Sequence, residues 1–215
     1  MYNGKPEGYF RNCRQSLIDL IPGKGGGRIL EIGAGCGNTL IEAKKRGIGR
    51  IIVGIDLVPV ENSNQSHHEM DRFIIGDIEE MELDFEDGYF DVIICGDVLE
   101  HLVDPWRTVG RLARYLEKGG HFIASIPNLR EINTLASIIF KGEFRYAESG
   151  IMDKAHLRFF CRRNIMEMFE QNGLKVISLS SNFDIEKSGR KLLSNLTFGL
   201  FYDFFASQYN VVAQR

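Results

Sequence analysis

The chain has too little of several things to be many kinds of protein. Its four cysteines, Cys13, Cys36, Cys95 and Cys161, form no C-x-x-C pair, which argues against a disulfide framework or a cysteine zinc site. No run reaches the ~18 apolar residues that a spanning helix needs, so no integral membrane segment is expected. Met1 to Glu7 lacks a charged-then-apolar leader pattern, and the expected location is the cytoplasm. Neither sign of charge dominates: 26 Lys and Arg against 29 Asp and Glu leave a net charge of −3. Broad attraction to nucleic acid is therefore not expected, because phosphate binding would need a local basic patch. Internal repeats and low-complexity tracts are also missing. What remains is 215 residues, 44% apolar and 26% charged, which suits one well-buried globular domain over 1–215.

What is present is concentrated in Ile29-Leu30-Glu31-Ile32-Gly33-Ala34-Gly35-Cys36-Gly37-Asn38. An apolar run ending in an acid passes straight into alternating glycines, which reads as a buried strand, a tight turn and a helix start. Glycines here remove side chains where a ligand must touch backbone N–H groups, and they permit positive φ. The spacing departs from the dinucleotide fingerprint, whose last glycine falls where this chain has Asn38. With no Tyr-x-x-x-Lys pair in the sequence either, a nicotinamide-dependent reductase is disfavoured.

Later strand ends carry further polar groups. Ile51 to Ile55 closes in Asp56-Leu57, Arg72 to Gly76 in Asp77-Ile78, and Phe90 to Cys95 in Gly96-Asp97-Val98-Leu99-Glu100-His101. Such acids also serve as helix caps. In sequence, however, they match how open α/β sheets bind ligands at the carboxyl edge of their strands. Strands are expected at 28–32, 51–56, 72–76, 90–95, 121–126, 174–181 and 209–213. Helices are expected at 38–46, 59–68, 105–117 and 162–171, giving a doubly wound α/β sheet. Asp104-Pro105 reads as a cap followed by proline at the first helical position. Arg107, Arg111, Arg114 and Lys118 on that helix read as a solvated outer face.

The pattern Glu31-x-Gly33-x-Gly35-x-Gly37 resembles motif I of class I S-adenosylmethionine-dependent methyltransferases. The resemblance runs over about residues 9–182. Ser125-Ile126-Pro127-Asn128 and His156-Leu157-Arg158-Phe159-Phe160 look like the type 11/12, ubiquinone-methyltransferase-like subset. It implies a seven-stranded Rossmann-like sheet with an antiparallel last strand, a leading helix and linker over 1–27, and a lid insertion over 129–156 after the fifth strand. It also implies S-adenosylmethionine as cofactor. Glu31 would help hold the methionine amino group, and Gly33, Ala34, Gly35 and Gly37 would lie under the ligand. Asp56 and Leu57 would take the ribose, Asp77 and Ile78 the adenine, with Gly96 and Asp97 completing the site. Tyr9, Phe10 and Arg14 are able to close over the cofactor, or simply to pack on the sheet.

Methyl transfer to a hydroxyl needs one base, and His101 and His156 are the candidates; the competing role for His101 is helix capping or packing. Arg158 and Arg162, in a local basic cluster, suit an anionic group on the acceptor, or else scaffold a helix start. Asp97, Glu100, His101 and His156 also offer a metal-ligand set similar to that of small-RNA 2′-O-methyltransferases. Without basic RNA-binding stretches, the reading adopted from sequence assigns no metal. The expected reaction is O-methylation of a small acceptor such as a sugar, a nucleotide sugar, or a phenolic or quinone precursor. N-methylation and a non-catalytic cofactor-binding module are the alternatives. The aromatic stretch Leu192 to Phe205 needs a cover: the chain's own core, a second copy in a homodimer, or a lipid surface.

Overall fold

The computed structural model describes residues 12–23, 26–182 and 202–215. Its strands are β1 (Gly27–Ile32), β2 (Gly49–Asp56), β3 (Arg72–Ile75), β4 (Phe90–Gly96), β5 (Leu116–Pro127), β6 (Lys175–Asn182) and β7 (Gln208–Gln214). They form one sheet in the order β3-β2-β1-β4-β5-β7-β6. Pairing is parallel from β3 through β5, and β7 runs antiparallel to both of its neighbours. This is the doubly wound seven-stranded sheet with an inverted closing strand that the sequence implies.

Strand alternation builds a core on each face. Leu30, Ile32, Val53, Ile55, Ile93, Cys95, Phe122 and Ala124 point into one cluster. Ile29, Ile52, Val92, Ile94 and Ile123 point into the other. The first is covered by α3 (Pro105–Tyr115) and α5 (Arg162–Glu170), through Val109, Leu112, Ile165, Met168 and Phe169. The second is covered by α1 (Gln15–Ile18) and α2 (Asn38–Lys45), through Leu17, Ile18, Leu40 and Ile41. Because both faces are buried, the central strands read as continuous apolar runs. Two short helices, α4 (Ile132–Ala136), which runs on into a π-helical turn at Ser137–Lys141, and α6 (Tyr202–Phe205), complete the α-helices among the described residues.

Several expected elements are corrected. The helix at 59–68 is a single 3₁₀ turn, Asn64–Ser66. The Gln65 side chain explains why: Oε1 accepts from Val60 N–H at 2.9 Å and Nε2 donates to the Gly35 carbonyl at 2.7 Å, so the segment is pinned as a loop. Helix α3 stops at Tyr115, and β5 already pairs at Leu116 before a bulge over 117–120. Its cap is as expected, with Asp104 accepting from Arg107 N–H at 3.0 Å, worth ~1 kcal/mol. Arg111 is not a solvated residue. Its guanidinium donates to the carbonyls of Ile78, Glu79 and Met81 and ties α3 to the loop after β3.

Tyr9, Phe10 and most of the 192–205 stretch lie outside the described residues. At the end of that stretch Phe205 is buried, and Ala206 joins the core beside α5.

Candidate active site

The strand order reverses between β1 and β4, which opens a crevice at their carboxyl ends. There the glycine turn takes the conformation that only glycine adopts cheaply, with φ of +67° at Gly33, +53° at Gly35 and +78° at Gly37. A Cβ on Gly33 would also stand 2.5 Å from Val98 Cγ2. Asp56, at the end of β2, accepts from Gly35 N–H at 2.7 Å, so the second strand clasps the turn made after the first. Burial raises the Asp56 pKa, while the Gly35 and Val58 amides act to lower it.

A cavity of about 230 Å³ lies over the turn. Glu31, Gly33, Ala34, Gly35, Asp56, Leu57, Asp77, Ile78 and Asp97 all line it. Gly37 and Gly96 are not in the lining. Gly37 caps α2 instead, and Gly96 leaves room for Arg14, whose Cδ and Nε a Cβ there would strike. At the far end, Asp77 Oδ1 accepts from Glu79 N–H at 2.9 Å. Glu79 in turn accepts from Val103 and Asp104 N–H at 2.8 and 2.7 Å. Together with Arg111, these bonds hold an apolar wall of Ile78, Val98 and Leu102 beside the two acids.

Glu31 is 1% exposed and its Oε2 has no hydrogen-bond partner. Burial pushes its pKa up to about 8, against the Arg14 cation and the Thr39 hydroxyl, which act to lower it. A buried carboxyl with an idle oxygen facing a cavity suits a cationic ligand group such as an ammonium. The residues present therefore fit the amino acid end of S-adenosylmethionine, and Asp56 and Asp77 line the same cavity.

A second cavity of about 330 Å³ adjoins the first and shares Asn12, Arg14, Asp97 and His101 with it. Asp97 sits at the junction in a left-handed conformation, φ +52°. It takes Arg14 at 2.5 Å, the Ser125 hydroxyl at 2.8 Å and the Gln208 amide. Beyond it, the 3₁₀ turn Leu99–His101 is zipped to the segment after the insertion, where Leu157 and Arg158 N–H donate to the Glu100 carbonyl at 2.8 and 3.0 Å. That pairing brings His101 and His156 together, ring centroids 4.8 Å apart and 76° between planes. His101 Nδ1 lies 3.0 Å from the Ala155 carbonyl and His156 Nδ1 2.9 Å from the Ile151 carbonyl. A carbonyl can only accept, so each contact puts an N–H on Nδ1. Glu100 is 1% exposed with neither carboxylate oxygen hydrogen-bonded. Burial pushes its pKa well above the usual range, and Asp97 adds to the effect.

The two expected acceptor arginines are placed elsewhere. Arg158 donates to the Val103 carbonyl at 3.0 Å. Arg162 lines a third recess with Arg130, Cys161 and Asp203. Sequence reasoning passed over Thr39, Gln65 and Gln208, and it read Ser125 only as part of a family motif, without a place in the site. Polar residues at the carboxyl end of β5 and the start of β7 were the available signal for the last two.

Comparisons with known proteins agree with this geometry. A family model described as "Methyltransferase domain" matches residues 7–179. The Ubiquinone biosynthesis O-methyltransferase of Cupriavidus pinatubonensis is 24% identical over 195 residues, covering 85% of this chain and 77% of that protein. Two solved structures share the fold, each at 17% identity. One is a methyltransferase in complex with the Haloferax volcanii Trm112 methyltransferase activator (TM-score 0.68, 93% of this chain, 86% of the other). The other is a SAM-dependent methyltransferase from Archaeoglobus fulgidus (TM-score 0.65, 100% and 96%). With a glycine turn clasped by Asp56, an idle buried carboxyl for an ammonium, and a methyltransferase model matched over most of its length, the chain belongs to the class I S-adenosylmethionine-dependent methyltransferases.

Proposed function

We propose that the enzyme O-methylates a small hydroxyl-bearing acceptor held in the second cavity, a phenolic or quinone precursor or a sugar. The observation that carries this reading is the shared wall: Asn12, Arg14, Asp97 and His101 line both cavities. A molecule beside His156 therefore faces the cofactor site directly. The bound sulfonium cofactor supplies both the methyl group and its leaving group, so this chain's residues have to orient the acceptor and take its proton. His156, its Nδ1 held by the Ile151 carbonyl at 2.9 Å, would serve as that base, with His101 beside it, ring centroids 4.8 Å apart. Arg14, rather than Arg158 or Arg162, is the guanidinium in this cavity that would meet an anionic group. The name of the Cupriavidus relative, an O-methyltransferase of ubiquinone biosynthesis, supports a phenolic acceptor among these choices.

The test is a panel of catechols, phenols, sugars and amino sugars incubated with S-adenosylmethionine and read by mass spectrometry. Methyl ethers are expected, with His156→Ala, outside the cofactor cavity, lowering turnover about 10²–10⁴-fold while S-adenosylhomocysteine affinity holds. Transfer to amines alone would replace this reading with N-methylation.

A further inference from the structure

We propose that Thr39 is a positioning residue that couples cofactor binding to the docking of the segment before α1. Helix α2 starts directly after the glycine turn, which puts Thr39 in its first turn, buried in the wall of the cofactor cavity. The other buried residues of that helix, Leu40, Ile41 and Ala43, are apolar. A hydroxyl in such a place is costly unless it is hydrogen-bonded, and this one has two contacts of opposite kind. Its oxygen accepts from Arg14 N–H at 3.2 Å, and the hydroxyl is also bonded to the Glu31 carboxyl. A threonine carries one hydroxyl proton and the amide supplies its own, so the hydroxyl proton goes to Glu31. The other Glu31 oxygen, Oε2, has no partner among the described residues. The inference rests on the reading that this acid meets the cofactor ammonium.

The contacts then form a chain: backbone amide, hydroxyl, carboxyl, ligand. An ammonium that ionises Glu31 makes it a stronger acceptor for the Thr39 hydroxyl. The polarised hydroxyl oxygen in turn accepts more strongly from Arg14 N–H, because successive hydrogen bonds polarise one another. Arg14 is held at its other end as well, where its guanidinium meets Asp97 at 2.5 Å. One residue of the leading segment therefore touches both walls of the crevice, α2 through its amide and the end of β4 through its side chain. Coupling of this kind is reciprocal: as far as the ligand holds the segment down, the docked segment strengthens the ligand.

Loss of the hydroxyl has a sign that can be worked out. The Thr39 bond acts to lower the Glu31 pKa, as does the Arg14 cation, while Asp56 acts to raise it. The Cys13 and Cys95 thiols also face the acid. Removing the bond leaves burial less opposed, so Glu31 in the ligand-free protein should titrate above the parent's value of about 8. More of the protein must then shed a proton to bind at neutral pH, and the rise of affinity with pH should level off later.

The full chain, Thr39→Val and Thr39→Ser should be titrated with S-adenosylhomocysteine from pH 6 to 9 and followed by amide exchange. In the parent, saturating ligand should slow exchange of the Arg14 amide about tenfold. Valine keeps the shape of threonine without the hydroxyl. In Thr39→Val, affinity at pH 7 should fall about tenfold, as for a lost hydrogen bond to a charged group, the plateau should move to higher pH, and ligand should no longer slow the Arg14 amide. Thr39→Ser keeps the hydroxyl and should restore all three. A purely structural residue would lower stability in urea and leave the plateau and the exchange response where they are in the parent. That result in Thr39→Val, or a parent Arg14 amide indifferent to ligand, would overturn the proposal, and the second needs no variant. Glu31→Gln separates the proposal from its premise. If it binds like the parent, Glu31 does not meet the ammonium and both fall; if it binds weakly while Thr39→Val matches the parent, the coupling through Thr39 fails alone.

Discussion

Arg14 and Asp97 meet at 2.5 Å where the two cavities join, linking the segment before α1 to the end of β4 across 83 residues of sequence. The pair is a quarter to a third exposed, so its worth is set by partial screening at ~1 kcal/mol. Arg14→Met should weaken S-adenosylhomocysteine binding about fivefold and speed amide exchange in α1, because the contact closes the site more than it stabilises the sheet. Calorimetry and hydrogen exchange measure both. Unchanged exchange in α1 would show that the segment is held without the ion pair.

Asp56 has a second task besides any ribose hydroxyl: it holds Gly35 N–H at 2.7 Å. Asp56→Ala leaves the turn without that clasp and the ligand without an acceptor. Binding of S-adenosylhomocysteine should fall by about 1–3 kcal/mol, the cost of unpaired polar groups in a buried site. Asp56→Asn should fall between the two. Titration calorimetry reads both, and equal affinity for parent and alanine variant would remove Asp56 from the site.

The sheet and the cofactor cavity were legible because their signals are local. Apolar runs such as Ile51 to Ile55 alternate between two cores, and each ends in an acid or a glycine turn at the same sheet edge. The second cavity was less legible. Glu100 and His156 meet because Leu157 and Arg158 amides bond the Glu100 carbonyl, and backbone bonds of that kind leave no mark on side-chain identity. Arg111 misled for the same reason. Its spacing matches the solvated Arg107 and Arg114, yet its partners are carbonyls. The basic run around Arg158 and Arg162 was real as composition, but it faces Val103 and a separate recess.

Arg111 makes a sharper test of that point. Its side chain is only 19% exposed, and it satisfies carbonyls of the loop that carries Ile78 and Glu79. Arg111→Met should keep the aliphatic packing and lose the bonds, lowering stability by about 2–3 kcal/mol. Cofactor affinity should fall with it, as the cavity wall that carries Ile78 and Glu79 loosens. Denaturant unfolding with and without S-adenosylhomocysteine separates the two effects. A variant as stable as the parent would return Arg111 to the solvated face.

Glu31 predicts a pH dependence of cofactor binding. In the ligand-free protein burial pushes its pKa up to about 8, so at neutral pH most molecules hold it protonated. A ligand ammonium beside it favours the carboxylate, which lowers the pKa in the complex. Between the two values binding must release a proton, and affinity therefore rises with pH, by at most about tenfold per unit. The rise should run from about pH 6 to 7.5. Above about 8 it should level off, because Glu31 is then already ionised in the free protein. Titration of S-adenosylhomocysteine in phosphate and in Tris should give different apparent enthalpies at pH 7, the difference reporting the released proton. Glu31→Gln keeps the shape of the side chain without its charge, so it should bind more weakly and lose both the buffer dependence and the rise below pH 7.5. A parent protein with flat affinity from pH 6 to 7.5 and equal enthalpies in the two buffers would show that Glu31 does not meet the ammonium.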